Sequence, residues 1–259
     1  VFMSNAYLLI PILIPILSGA LFFAANPKTQ KSKNRYVLSS VLLTSISMFV
    51  LIFTTNDILF PLFTFSGNLS ISLNLDGMGK LFAGLVSLLW PATTLYAFEY
   101  MKHEGHLRMF YTFFLISFGV TLGIASSGNM LTMYFFYELV TLTALPLVLH
   151  SGTKESIHAA LKYLFYSIAG AFLALLGIFC VSRFTTLDFV PGGTLAGAVP
   201  ESYLPLVRAL VFCAVLGFGA KAGLYPLHGW LPAAHPVAPG PASAVLSAVI
   251  AKSGVLGIL

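Results

Sequence analysis

Apolar residues along this chain do not alternate with polar ones; they fill whole runs separated by short polar stretches. The runs fall at about Ala6–Ala25, Tyr36–Thr54, Leu75–Phe98, Phe110–Ser126, Met130–Leu149, Ala159–Val181, Tyr203–Tyr225 and Ala242–Leu259. Crossing about 30 Å of hydrocarbon takes roughly 20 apolar residues in a helix, so the pattern predicts eight spanning helices. The first run is too long for the core of a signal peptide, and no small-residue cleavage site precedes the polar stretch after it; it reads as a span. One segment breaks the rule. Phe60-Pro-Leu-Phe-Thr-Phe-Ser-Gly-Asn-Leu-Ser-Ile-Ser-Leu-Asn-Leu75 alternates apolar and polar residues around Gly67-Asn68, which predicts a short external β-hairpin between the second and third helices.

Composition removes the alternatives. The chain is 58% hydrophobic and 8% charged, with a mean hydropathy of +0.93. A soluble domain carries about 25% charge, so a water-soluble enzyme, a disulfide-stapled secreted domain and a disordered segment are excluded. Cys180 and Cys213 fall in apolar runs and read as small hydrophobes. The net charge of +5 does not imply nucleic acid; most of the basic residues cluster between spans. Lys28, Lys31, Lys33 and Arg35 follow the first run, Lys102 and Arg108 the third, and Lys154 the fifth, with Lys162 just beyond. The alternate connections hold Asp57, Asp188 and Glu201, while Lys80, Arg183 and Arg208 flank them and dissent. By the positive-inside rule the basic connections are cytoplasmic and both termini lie outside, in the plasma (inner) membrane.

Ionisable side chains at bilayer depth cost about 2.5–3.5 kcal/mol each on insertion scales and need a reason to be there. Glu138 lies mid-run, too deep to reach the surface; it is either a hydrogen-bonded structural carboxylate or a proton carrier. Lys221 is bracketed by Gly217, Gly219 and Gly223 and followed by Pro226, which predicts a discontinuous seventh helix with a cation at the break; a lysine snorkelling from a helix end is the plainer reading. Lys252 follows Pro239-Gly-Pro241 by eleven residues, near the bilayer middle, with Ser243, Ser247 and Ser253 for company. A glutamate and two lysines at similar depth can store or pass a proton by making and breaking ion pairs, with no cofactor and no metal. Lys162 points either to the surface or inward. His228 and His235, beside the break, are either proton-entry relays or solvated loop histidines. His103, His106, His150 and His158 also lie at or beyond run ends, so bis-histidine haem ligation inside the bundle is excluded, and no spacing matches a zinc motif. Gly170 and Ala174 in the sixth run permit close helix approach.

These residues resemble a known superfamily. Tyr137-Glu138-Leu139 is similar to the glutamate motif of the antiporter-like membrane subunits of respiratory complex I. Lys221-Ala-Gly-Leu-Tyr-Pro-Leu-His-Gly-Trp-Leu-Pro-Ala-Ala-His-Pro-Val-Ala-Pro239 resembles its most specific signature, and Ser243 through Lys252-Ser-Gly its continuation. Asp76-Gly, Tyr96 and Tyr100-Met101 are weaker matches. The superfamily joins complex I subunits, multisubunit Mrp-type cation/proton antiporters and membrane-bound hydrogenase subunits. The resemblance implies an all-α polytopic membrane fold, with Glu138 and Lys221 as ion-pair elements and Lys252 as the next relay. It implies one membrane domain over 1–259, with peripheral helices and hairpin in 1–107 and one five-helix transporter repeat in 108–259. Members carry a second, inverted repeat, so a partial chain is expected.

The function this implies is translocation of protons, with sodium as a second candidate ion, by a subunit of a redox-driven complex that does no redox chemistry itself. The alternative is a subunit of a stand-alone cation/proton antiporter. Both imply other membrane subunits as partners. A quinone- or haem-binding redox enzyme ranks last, because the chain offers no flavin, nucleotide or iron–sulfur motif.

Overall fold

The computed structural model describes residues 6–55, 59–66, 69–195 and 197–259. Among them, eight helical stretches are long and apolar enough to cross a membrane, matching the eight runs of the sequence. After a 3₁₀ turn at Ala6–Leu9 come α1 (Ile10–Ala25), α2 (Gln30–Thr54), strands β1 (Phe60–Ser66) and β2 (Leu69–Leu73), α3 (Gly77–Tyr100), α4 (Leu107–Ala125), α5 (Met130–Val148), α6 (Lys154–Ser182) and α7 (Leu204–Ala222). The chain then breaks before the short α8 (Leu231–Val237). The eighth span is α9 (Gly240–Val245), a π-helical turn at Leu246–Ile250, and α10 (Lys252–Ile258).

Two helices, α2 and α6, start five or six residues before their apolar runs. Thr29 caps α2 by accepting from the Ser32 amide at 3.2 Å, so Lys31, Lys33 and Arg35 lie on its first turns rather than in a loop. Thr153 likewise caps α6 through the Ser156 amide, which puts Lys154 at its first residue. A cap fixes where a helix begins; hydropathy reports only where it enters lipid. The hairpin forms as an antiparallel pair running from Phe60 opposite Leu73 to Ser66 opposite Leu69, and the turn expected at Gly67-Asn68 lies outside the described residues. It is tied to α5 by Asn129, whose Nδ2 donates to the Ser70 carbonyl and the Ser72 hydroxyl, both at 2.9 Å. Asn129 Oδ1 in turn accepts from the Thr132 amide, capping α5.

α4 is the most enclosed helix, with α1, α3 and α5 around it. At its basic end Arg108 stacks over the Phe23 ring, 4.0 Å from the centroid, and donates to the Phe23 carbonyl. α6 and α7 pack more extensively than any other pair of described helices. A Cβ on Gly170 would fall 2.6 Å from the Gly217 carbonyl oxygen, so the two backbones touch only because neither residue has a side chain. That contact also sets the depth of the break. With Gly217 against Gly170, α7 ends near the level of the middle of α6. Gly223, at φ 83°, takes the left-handed cap that ends it. The discontinuous seventh helix expected from glycine and proline is present.

Candidate functional site

Lys221 occupies the last turn of α7 and is fully buried. Its ammonium donates to the Tyr137 carbonyl at 2.8 Å and to the Thr141 hydroxyl at 2.6 Å. It also lies 3.6 Å from the centroid of the Tyr137 ring, a cation–π contact that strengthens when desolvated. Full burial and these contacts exclude the snorkelling geometry. All these acceptors are neutral. A helix C-terminus carries partial negative charge and favours a cation in its last turn, which helps hold Lys221 where it is.

Glu138 sits at the centre of α5, half-buried, between the two residues that hold the lysine. The carboxylate and ammonium are within electrostatic reach but form no direct ion pair; the ion pair among the described residues is Lys102–Glu99, at a surface-exposed turn. Glu138 Oε1 is buried without a hydrogen-bond partner among the described residues. Tyr163 is fully buried on α6, its hydroxyl beside Thr141 and Ser167 but outside hydrogen-bond geometry. Buried polar atoms left over by the protein are normally satisfied by ordered water. Such atoms are Glu138 Oε1 on α5 and the Tyr163 and Ser167 hydroxyls on α6, and His228 Nδ1 is another in the break after α7.

The segment after the break folds back on the site. Trp230, buried, donates its indole N–H to the Ala220 carbonyl at 2.8 Å, a carbonyl at the end of α7 that also takes the capping Gly223 amide at 3.4 Å. Its ring packs on Tyr163, 5.1 Å between centroids. His228 is half-buried and its ring lies tilted against Tyr225, 5.6 Å between centroids. His235, on α8, shares a 2.7 Å hydrogen bond between Nδ1 and the Ser243 hydroxyl. Burial holds its imidazole below the usual histidine range, and the positive Lys252 nearby pushes the same way. His228 and His235 are therefore packed against the break and are not freely solvated loop residues.

The structure separates Lys252 from the enclosed group. Its side chain is exposed on the outer face of the eighth span, where Nζ donates to the Ser247 carbonyl at 2.9 Å. Lys252 follows the π-helical turn that contains Ser247, and such a turn leaves a carbonyl without its usual i+4 donor. Sequence reasoning put Lys252 at mid-span depth but had no means of telling which side of the helix it takes. Lys162 is exposed on α6, and its side chain lies alongside Gly229 of the segment after the break. Thr141 and Tyr163 were not singled out in advance, and Tyr137 and Trp230 entered only as members of the quoted motifs. The four-residue spacing of Tyr137 and Thr141 around Glu138 was the available signal, since it places both on one stripe of α5.

Residues 127–259, which contain all of these groups, match the family described as NADH:quinone oxidoreductase/Mrp antiporter, TM. Hydrogenase-4 component B of Escherichia coli (strain K12) is 35% identical over 193 residues, covering 73% of this chain and 28% of that protein. A Na(+)/H(+) antiporter subunit of Alkalihalophilus pseudofirmus is 24% identical over 258 residues, 98% of this chain and 52% of that one. Among solved structures, the Mrp complex from Dietzia sp. superposes with a TM-score of 0.78 at 18% identity, over 99% of this chain and 48% of its counterpart. The chain thus spans about half the length, or less, of the proteins it matches. With the family matched across half the chain and the fold shared across nearly all of it, this protein is a member of the NADH:quinone oxidoreductase/Mrp antiporter transmembrane family.

Proposed function

We propose that this chain carries protons across the membrane as an antiporter-like subunit of a complex I-like or membrane-hydrogenase complex. Its relay runs from Glu138 to Lys221 and on to Lys252. The observation that carries the reading is the Lys221 ammonium, fully buried yet held only by neutral acceptors from the turn of α5 that bears Glu138. A buried ammonium with no contact ion can give up its proton without breaking a salt bridge. A carboxylate one turn away can draw it back, because opposite charges at short range in a low-dielectric interior stabilise each other strongly. His228 and His235 line the break and offer an entry from the end bearing the basic residues, which the charge distribution assigns to the cytoplasm. Lys252 passes the proton sideways to whatever protein covers the outer face of α10.

The second reading is a subunit of a stand-alone cation/proton antiporter, with sodium as the counter-ion. The alignment of nearly the whole chain with a Na(+)/H(+) antiporter component favours it. Purification from native membranes separates the two, since hydrogenase or iron–sulfur subunits would accompany the first and small antiporter subunits the second. The relay itself is tested in reconstituted vesicles. Glu138→Gln and Lys221→Ala should each abolish coupled proton movement in complexes that assemble normally, and normal rates in either would contradict the relay.

A further inference from the structure

Three basic residues flank connections that the positive-inside rule assigns to the outside: Lys80, Arg183 and Arg208. Helix ends account for two of them. Lys80 Nζ donates to the carbonyl of Thr55, the residue that ends α2, at 2.7 Å. Arg183 ends α6, where the partial negative charge of a helix C-terminus favours a cation. Arg208 has no such place. It lies one turn into α7, toward the end whose partial positive charge disfavours a cation. It is exposed, and it makes no hydrogen bond or ion pair among the described residues. Asp188 and Glu201, the acids of the connection before α7, form no ion pair with it.

Arg208 borders an open groove of about 450 Å³. Leu204, Val207, Val211 and Val215 of α7 line it, with Phe212 beside them and Val199 from the preceding connection. Among the described residues, Arg208 is the one polar side chain in that lining. The α7 positions recur every three or four residues, so they form one stripe of the helix. From Leu204 to Val215 the stripe runs roughly 16 Å at 1.5 Å per residue. That is about half of the ~30 Å hydrocarbon thickness, the depth of one leaflet. The base stands near the end of the stripe that begins the span, and the apolar wall continues below it. An arginine stem lies along apolar surface while its guanidinium reaches toward the headgroups.

We propose that this groove binds a membrane glycerophospholipid, with its phosphodiester on the Arg208 guanidinium and an acyl chain along the Leu204–Val215 stripe. The leaflet is the one that the charge distribution assigns to the outside. A guanidinium presents paired donors in a plane that matches two phosphate oxygens. A free phosphate would leave the apolar stripe unused, whereas a lipid uses both parts of the groove. The site is separate from the Glu138–Lys221 relay and does not depend on it.

Photo-cross-linking of the intact protein in nanodiscs tests this. Two probes carry the same diazirine-bearing acyl chain and differ in the head: phosphatidylglycerol, and a galactosyl diacylglycerol that has no phosphate. Yields are normalised to α1 at Ile10, Leu13 and Leu17, which are exposed on a helix half without basic residues. The phosphatidylglycerol probe should label the 207–215 stretch about fivefold or more above the glycolipid probe, equivalent to ~1 kcal/mol of preference. Arg208→Gln should bring it down to the glycolipid level, and Arg208→Lys, which keeps the charge, should retain a clear excess over Arg208→Gln. The comparison of probes on the unmodified protein needs no variant to assemble. Equal labelling of α7 by the two probes would overturn the proposal, as would phosphatidylglycerol labelling unchanged in assembled Arg208→Gln. Absence of label on α7 where α1 is labelled would also overturn it, because protein rather than lipid would then cover the groove.

Discussion

Lys221 costs the fold a fully desolvated ammonium, and three contacts from α5 offset that cost: a carbonyl, a hydroxyl and an aromatic face. Thr141→Val removes the shortest of them while keeping the side-chain shape. A buried donor left short of a partner typically costs about 1–3 kcal/mol, more when charged, so thermal unfolding in detergent should shift down clearly. Thr141→Ser should recover most of the loss. Recovery by serine distinguishes the hydrogen bond from packing. His235 supplies the pH dependence. Its folded-state affinity for protons is reduced, by burial first and Lys252 second, and His150 is reduced too, chiefly by burial. The unfolded chain therefore binds more protons near pH 6.5, and the stability these imidazoles contribute is present above that pH and lost as the pH falls below it. Lys252→Gln removes one of the two causes and should raise the His235 titration midpoint, read by NMR of labelled histidine; an unmoved midpoint would show that the charges do not communicate.

At the scale of elements, the spans were legible because eight apolar runs map onto eight helices with no shift in order. The break in the seventh was legible too, from Gly223 and Pro226. Helix starts were not, because capping by Thr29 and Thr153 carries α2 and α6 into polar sequence that hydropathy discounts. The π-helical turn at Leu246–Ile250 left no composition signal, and it redirects the face on which Lys252 emerges. Half of the candidate site could be read from charge at depth, namely Glu138 and Lys221. The uncharged residues that hold the lysine could not, since Tyr and Thr at four-residue spacing are common in spanning helices and only tertiary packing makes them acceptors. The α6–α7 contact tests how the break is held. Gly170→Val would force a branched side chain against the Gly217 carbonyl, an overpacking defect typically worth about 1–3 kcal/mol or more. It should displace the end of α7 and lower both assembled protein and transport, measured as membrane-extracted complex and as vesicle flux. Gly177→Val, at the α6–α7 contact with Ala214 but away from the lysine, should weaken assembly with a smaller effect on flux per assembled complex.

For the whole molecule, the fold encloses one lysine, Lys221, and leaves another, Lys252, exposed on the bundle's outer face. Lys252 facing hydrocarbon would cost kilocalories, so we expect further protein against α10, and residues 6–259 alone should not behave as a monodisperse monomer in detergent. Sidedness follows from the basic connections: a cysteine introduced at Ser32 should be labelled from the cytoplasm and stay protected from outside. The central claim is that Lys221 gives up and regains a proton. Its most direct test is proton translocation by Lys221→Arg in reconstituted vesicles, with assembly of the complex verified separately. A guanidinium keeps the positive charge and hydrogen-bonding capacity but cannot be deprotonated at physiological pH. Proton translocation should fall to background in assembled Lys221→Arg complexes; translocation at the normal rate would show that the charge of Lys221 is structural and that its deprotonation is not part of the mechanism.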